Sequence, residues 1–131
     1  SSLLDRPVPI FVSLDTLRDY VFEEDFGRIV HAALDRTRTL DRGTTIIKII
    51  GSMQPLSVGA ILGENRRVRR RRFPIILGGG DPRGQSLDLR VRSEVWTDLD
   101  ALARTTLGEG LGIVYRAQLA RLALGESPAR A

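Results

Sequence analysis

Apolar and charged residues alternate over a short stretch in the last third of the chain. Leu87, Leu89 and Val91 are apolar, and the charged positions between and after them are Asp88, Arg90 and Arg92. A period of two residues predicts a β-strand with one apolar face. Because a single strand leaves its edges and its face without partners, we expect it to pair with the same strand of a second chain. The pattern therefore favours a two-stranded ribbon shared by two chains.

Two helices are predicted to follow this strand. Apolar residues recur at helical spacing after the Ser93-Glu94 junction, and a second helix is predicted from about Gly112 to Leu124. The second helix has apolar residues on two sides, which favours burial against a partner chain; the alternative is a larger monomeric α+β core. The predicted dimer core consists of Leu87, Leu89, Val91, Val95, Leu99, Leu102, Ile113, Leu119 and Leu122.

The order of strand, polar junction and two helices over residues 86–125 resembles the ribbon–helix–helix family of DNA-binding proteins. The resemblance implies an intertwined dimer whose ribbon enters the major groove of double-stranded DNA. Arg90 and Arg92 are then expected to contact guanine, and Asp88 a cytosine amino group. The family has Ser or Thr before its second helix. Here the predicted turn, residues 107–112, offers glycine, and the amides of Gly110 and Gly112 are expected to contact phosphate.

The densest charge lies upstream of this region, in a run that reads RRVRRRR. The chain has a formal net charge of +4, and its positive surplus lies in the second half. Clustered positive charge is typical of proteins that bind phosphate groups. A solvated loop or a basic strand face is the alternative interpretation. The predicted phosphate contacts in this run are Arg66, Arg67, Arg69, Arg70, Arg71 and Arg72.

The sequence predicts an α+β protein with a small N-terminal unit over residues 1–77. This unit combines a helix over residues 22–38 with strands near 8–14, 44–50, 56–62 and 73–77. Residues 78–85 form a glycine-rich linker, the ribbon–helix–helix unit covers 86–125, and 126–131 form a tail. No G-x-x-x-x-G-K-S/T or G-x-G-x-x-G motif occurs in the linker. A protein or small-molecule partner of residues 1–77 stays an open alternative.

Composition excludes several classes of site. The chain has no cysteine and a single histidine, His31, so we expect neither a metal site nor a cofactor, and we expect no enzyme activity. No apolar run approaches the roughly 20 residues of a membrane span, and a cytoplasmic location is expected. The resulting hypothesis is a dimeric, sequence-specific DNA-binding protein: a transcriptional repressor, an antitoxin or a plasmid-maintenance factor. The alternative is an oligomeric protein-interaction or phage assembly protein.

Overall fold

The computed structural model describes residues 6–78 and 88–125 and confirms a mixed α+β protein. Strands β1 and β4 form a parallel pair in which Val8 lies opposite Ile75 and Ile10 opposite Leu77, and β2 pairs with β3. A short 3-10 helix covers Thr97–Leu102. The remaining elements in chain order are β1 Val8–Ile10, β2 Leu17–Arg18, α1 Glu23–Thr37, β3 Leu56–Ser57, α2 Val58–Arg69, β4 Ile75–Leu77 and α3 Leu107–Ala123.

The described residues divide into two compact units, each assembled from segments that are distant in sequence. The first, here called the arginine unit, contains β1, α2, β4 and α3 and comprises residues 6–16, 57–78 and 106–125. The second, here called the α1 unit, contains β2, α1 and the 3-10 helix and comprises residues 17–56 and 88–105.

This division differs from the boundaries predicted from the sequence, which separated residues 1–77 from 86–125 by a linker. Most of that linker, residues 79–85, lies outside the described residues. Each compact unit combines segments from both sides of it. Local periodicity carries no signal for a segment that returns to pack on an earlier one, so the sequence pattern favoured contiguous units.

Helix α1 forms where the sequence predicted it. Its first turn holds Glu23, Glu24 and Asp25, which stabilise the positive end of the helix dipole, and Arg36 lies in its last turn. Ile29 is fully buried on its inner face. The same helix contacts the 3-10 helix, where Leu99 is buried. These contacts make α1 the centre of its unit.

Helix α2 replaces the strand predicted over residues 56–62. Ser57 lies at its N-terminus and accepts a hydrogen bond from the amide of Ala60 at 3.1 Å, which satisfies one of the free donors of the first turn. The chain leaves the helix through Arg70, a non-glycine residue with φ of +52°. The apolar residues at the start of this stretch were interpreted as a strand because a short apolar run does not distinguish the two structures.

Helix α3 begins five residues earlier than predicted. Thr106 Oγ1 accepts a hydrogen bond from the amide of Glu109, and Glu109 Oε2 accepts one from the amide of Thr106 at 2.9 Å. This reciprocal pair is a capping box, so the expected absence of a Thr or Ser cap is wrong. The stretch interpreted as a glycine turn is the first turn of the helix. There Gly108 allows a close approach of α2, since a Cβ at this position would lie 2.9 Å from Nη2 of Arg67.

The predicted ribbon strand is not present in the part of it that the structure describes, residues 88–92. The amide of Leu89 donates to the carbonyl of Leu17 at 3.0 Å, and the carboxylate of Asp88 accepts from the amide of Leu17 at 3.0 Å. Val91 packs so closely on Gly51 that a Cβ there would lie 2.6 Å from its Cγ2. The alternating pattern therefore reflects packing on β2 and Gly51 of the same chain. Leu87 lies outside the described residues.

The remaining predicted strands and helices have different outcomes. The strand near residues 73–77 is confirmed as β4, with Pro74 just before it, where its carbonyl accepts from the amide of Val8 at 3.0 Å. Residues 44–50, predicted as a strand, are assigned to neither a strand nor a helix. The helix expected after Ser93-Glu94 is reduced to the 3-10 helix. Within the described residues, no helix has the length and apolarity needed to cross a membrane.

We expect Thr106→Ala to destabilise the protein by about 1 kcal/mol, because it removes the side-chain half of the capping box of α3. The free energy of unfolding is measured by urea denaturation. Thr106→Ser is the matched control, since it keeps the hydroxyl acceptor and should retain most of the stability. Equal losses in the two variants would show that the methyl group of Thr106, and not its hydrogen bond, is the stabilising feature.

Candidate functional site

The arginine run surrounds a cavity in the arginine unit. The cavity has a volume of about 760 Å³. Helix α2 supplies its last-turn arginines, and the left-handed residue Arg70 reverses the chain so that the next residues return beside the helix. No acidic residue is found among the described residues that line it. The lining residues of this arginine cavity are Arg66, Arg67, Arg70, Arg71, Arg72 and Phe73.

Glu64 forms an ion pair with Arg67, one of the arginines that line the cavity. Nε of Arg67 donates to both carboxylate oxygens of Glu64, at 3.0 Å each, one helical turn away. The hydrogen bond from Arg67 lowers the pKa of Glu64 below its usual range, and the charge of Arg67 adds to the effect. The described residues that line the cavity are arginines apart from Phe73, so the field inside it is positive.

The α1 unit contains a buried carboxylate that joins its two segments. Asp25 is 1% exposed. Its oxygens accept hydrogen bonds from the amide of Thr105 at 2.8 Å, the hydroxyl of Thr105 at 2.9 Å and Nη1 of Arg28 at 2.5 Å. A buried carboxylate persists only when its lone pairs are satisfied in this way. Asp25 is therefore a structural anchor.

The only lysine of the chain, Lys48, is a second buried anchor of this unit. Its side chain is 6% exposed. Nζ donates to Asp100 Oδ1 at 2.7 Å, Ser93 Oγ at 2.7 Å and the carbonyl of Val95 at 2.8 Å. All three ammonium donors are used, so Lys48 fixes the 88–105 segment and is not available to a ligand.

A third pair lies on the surface of the α1 unit. Arg36 and Asp98 form a two-pronged ion pair, with Nη1 to Oδ1 at 2.8 Å, and the guanidinium lies 5.4 Å from the centroid of the Trp96 ring. The hydrogen bond from Arg36 lowers the pKa of Asp98 and raises that of the guanidinium. The pair joins the last turn of α1 to the 3-10 helix.

The three residues predicted to contact bases, Asp88, Arg90 and Arg92, are exposed. Asp88 accepts from the amide of Leu17, as described above, and is thereby used within the chain. Arg90 is exposed, and Arg92, also exposed, lies 3.9 Å from a carboxylate oxygen of Glu94.

The glycine amides predicted to contact phosphate are not available either. Gly110 is buried, and its amide donates to the carbonyl of Thr106 at 2.9 Å. Gly112 lies inside α3, beyond its first turn. Both expectations followed from placing the helix start too late.

The residues predicted to form a dimer core differ in exposure. Leu99 is buried, whereas Leu89, Ile113 and Leu119 are exposed. Half-buried positions are Val91, Val95, Leu102 and Leu122. Whether exposed members meet a second chain stays a prediction. His31 is exposed on α1, and the described residues include no group of three acidic, histidine or cysteine side chains placed to hold a metal ion.

The sequence did not identify the polar anchors of the α1 unit. One signal was present: Lys48 interrupts the apolar run Ile46–Ile50, and an isolated charge inside such a run is typical of a buried, paired ion. Asp25 was interpreted as part of an acidic first turn. Its role depends on Thr105, which lies 80 residues away in the chain, and no local sequence pattern indicates that the two residues are in contact.

Comparison with known proteins identifies the fold. A solved UDP-glucuronic acid 4-epimerase from Bacillus cereus, in complex with UDP-glucuronic acid and NAD, matches with a TM-score of 0.65 and 21% identity. A mutant of the same enzyme, holding UDP-4-deoxy-4-fluoro-glucuronic acid and NAD, matches with a TM-score of 0.66 and 21% identity. Each match covers 90% of this chain and 37% of the epimerase chain. No protein-family model and no curated protein matches the sequence.

These matches overturn the DNA-binding hypothesis. The two solved chains named above are epimerases, and the segment expected to form the DNA-reading ribbon is hydrogen-bonded to β2. The prediction of a repressor, antitoxin or plasmid-maintenance factor is therefore wrong, and the alternative of an assembly protein finds no support in the matches. The matched proteins are enzymes, whereas the sequence predicted none; at this identity the similarity establishes the fold alone.

We expect Asp25→Ala to destabilise the protein by about 2–4 kcal/mol, since it removes a buried carboxylate and leaves two partly buried donors of Thr105 without their acceptor. Chemical denaturation measures the loss. Glu24→Ala is the matched control in the same helical turn. Its carboxylate lies 3.6 Å from Arg28 and is exposed, so its removal should cost about 0.5 kcal/mol or less. A cost of Asp25→Ala as small as that of the control would contradict the anchoring role.

The Arg36–Asp98 pair predicts a pH dependence of definite sign. Because the folded-state pKa of Asp98 is lowered, the pair contributes stability above the unfolded pKa of an aspartate and loses it as the pH falls through the lowered value. Arg36→Met should raise the pKa of Asp98 toward the ordinary range. An NMR titration of the Asp98 carboxyl carbon measures this. Arg38→Met is the control on the same helix, and identical Asp98 titrations in wild type and Arg36→Met would refute the assignment.

Proposed function

We propose that this chain forms the sugar-nucleotide-binding part of an enzyme related in fold to UDP-sugar epimerases. The observation that carries the proposal is the match of 90% of the chain to an epimerase solved with UDP-glucuronic acid and NAD. The chain spans 37% of the length of that epimerase. It therefore corresponds to one part of such an enzyme. The steps that this chain does not carry out are assigned to another part of that enzyme.

The residues of this chain do not fit NAD. Dinucleotide-binding folds hold the pyrophosphate on a glycine-rich turn between a strand and a helix of a parallel sheet. The sequence has no G-x-G-x-x-G motif, and each sheet in the described part of the chain has two strands. We therefore assign the UDP-sugar, and not NAD, to this chain.

The surface of the α1 unit supports a role as part of a larger enzyme. Residues 44–50 are rich in β-branched side chains and are assigned to neither a helix nor a strand. Ile47 is 81% exposed, and Ile46 and Ile49 are also exposed. A run of exposed apolar side chains marks a surface that another part of a protein covers. In the proposed enzyme, the part absent from this chain covers it.

Charge supports the choice of ligand. A UDP-linked uronic acid carries a diphosphate and a carboxylate, and a positively charged protein attracts such an anion over a long range. The formal net charge of the chain is +4. This attraction raises the rate of encounter, whereas specificity for uracil and sugar depends on contacts that charge alone does not provide.

The proposal predicts that the chain binds UDP-glucuronic acid more tightly than NAD. Calorimetry measures affinity, and amide chemical shifts in an NMR titration detect binding too weak for calorimetry. UDP-glucuronic acid should give saturable shifts confined to a small set of residues. NAD, which also carries a diphosphate but lacks the uracil and the uronic acid, should bind more weakly.

Two further ligands distinguish recognition of the sugar nucleotide from general electrostatic attraction. Free glucuronic acid should bind more weakly than UDP-glucuronic acid because it lacks the diphosphate and the base. ADP-glucose tests the base and the sugar together. If ADP-glucose and NAD bind as well as UDP-glucuronic acid, or if UDP-glucuronic acid produces no saturable change, the proposed function is refuted.

A further inference from the structure

The arginine cavity has an aromatic floor that holds two guanidinium groups in place. Phe73 is 4% exposed and lines the cavity. The guanidinium carbon of Arg66 lies 5.4 Å from the centroid of its ring, and that of Arg69 lies 5.3 Å from it. Cation–π contact restricts both side chains before any ligand arrives, which lowers the entropic cost of binding.

Arg69 is a buried cation without its full set of partners. The residue is 8% exposed, and its Nε and Nη1 atoms are buried without a hydrogen-bond acceptor. Arginine stays protonated in proteins, so it cannot escape this cost by losing its charge. A buried guanidinium with free donors is unfavourable unless an anion or another acceptor completes its shell.

The geometry therefore provides the elements of an anion site. The described lining of the cavity consists of arginines and Phe73, with no acidic residue. Two guanidinium groups are held against the Phe73 ring, and one of them, that of Arg69, has free donors although it does not itself line the cavity. We propose that the arginine cavity binds a small anion carrying two or more linked phosphate groups. Guanidinium forks match pairs of phosphate oxygens, and one phosphate alone would engage only a fraction of the arginines around a cavity of about 760 Å³. This proposal does not depend on the proposed function.

Calorimetry with inorganic pyrophosphate tests the site. We expect one pyrophosphate per chain and much weaker binding of orthophosphate. The double variant Arg66→Gln/Arg72→Gln should weaken pyrophosphate binding at least tenfold. The control Arg90→Gln/Arg121→Gln removes the same charge at exposed positions that do not line the cavity and should change the affinity less than twofold. Equal losses in the two double variants would mean general surface attraction and would overturn the proposal.

Arg69→Met separates a binding role from a packing role. Because it replaces a buried, uncompensated charge with an apolar chain of similar length, it should raise the thermal midpoint of the ligand-free protein and weaken pyrophosphate binding. Circular dichroism confirms that the variant is folded. A lowered midpoint together with unchanged pyrophosphate affinity would show that Arg69 serves packing alone and would contradict the site.

Competition distinguishes the possible sources of the diphosphate. If UDP-glucuronic acid displaces pyrophosphate, the site holds the diphosphate of a nucleotide. If pyrophosphate binds and UDP-glucuronic acid neither displaces it nor binds elsewhere, the anion site stands and the proposed function fails. A DNA duplex serves as the macromolecular comparison. Duplex binding tighter than that of pyrophosphate, and abolished by Arg66→Gln/Arg72→Gln, would overturn the small-anion proposal.

Discussion

The hydrogen bonds between buried Asp25 and Thr105 hold the α1 unit together, because they join segments that lie 80 residues apart in the chain. Among the described residues, the buried apolar side chains are few: Ile29 and Leu99 in this unit and Phe73 in the arginine unit. Such a small core gives limited hydrophobic stabilisation. Buried polar groups with satisfied partners then determine which segments come together, since any other arrangement would leave a charge buried without a partner.

The sequence predicted those elements whose pattern is local. Helix α1 follows from apolar periodicity with acidic residues in its first turn, and β4 follows from an apolar run with Pro74 at its edge. Helix α3 was placed too late because its first six residues include three glycines, which suggest a turn. The signal that marks its true start is Thr106 followed three residues later by Glu109, a capping-box pattern that is visible in the sequence.

The sequence did not predict the features that depend on contacts between residues far apart in the chain. Alternation at residues 87–92 has two physical explanations, pairing with a second chain or packing on an earlier segment, and period alone does not distinguish them. The structure shows Leu89 bonded to Leu17 and Val91 packed on Gly51, so the second explanation holds. The run of arginines was recognised as a phosphate-binding candidate, but its cavity depends on the left-handed turn at Arg70 and on the buried ring of Phe73.

Lys48 and Arg69 show why one buried cation is structural and the other points to a ligand. The side chain of Lys48 is 6% exposed, and Arg69 as a whole residue is 8% exposed. Lys48 uses all three donors on acceptors of its own unit, so folding alone accounts for its burial. Arg69 keeps two buried nitrogens without an acceptor. The free energy lost in burying them is recovered when an acceptor reaches them. Arg69 packs on the Phe73 ring that lines the arginine cavity, where an anion of matching charge is proposed to bind.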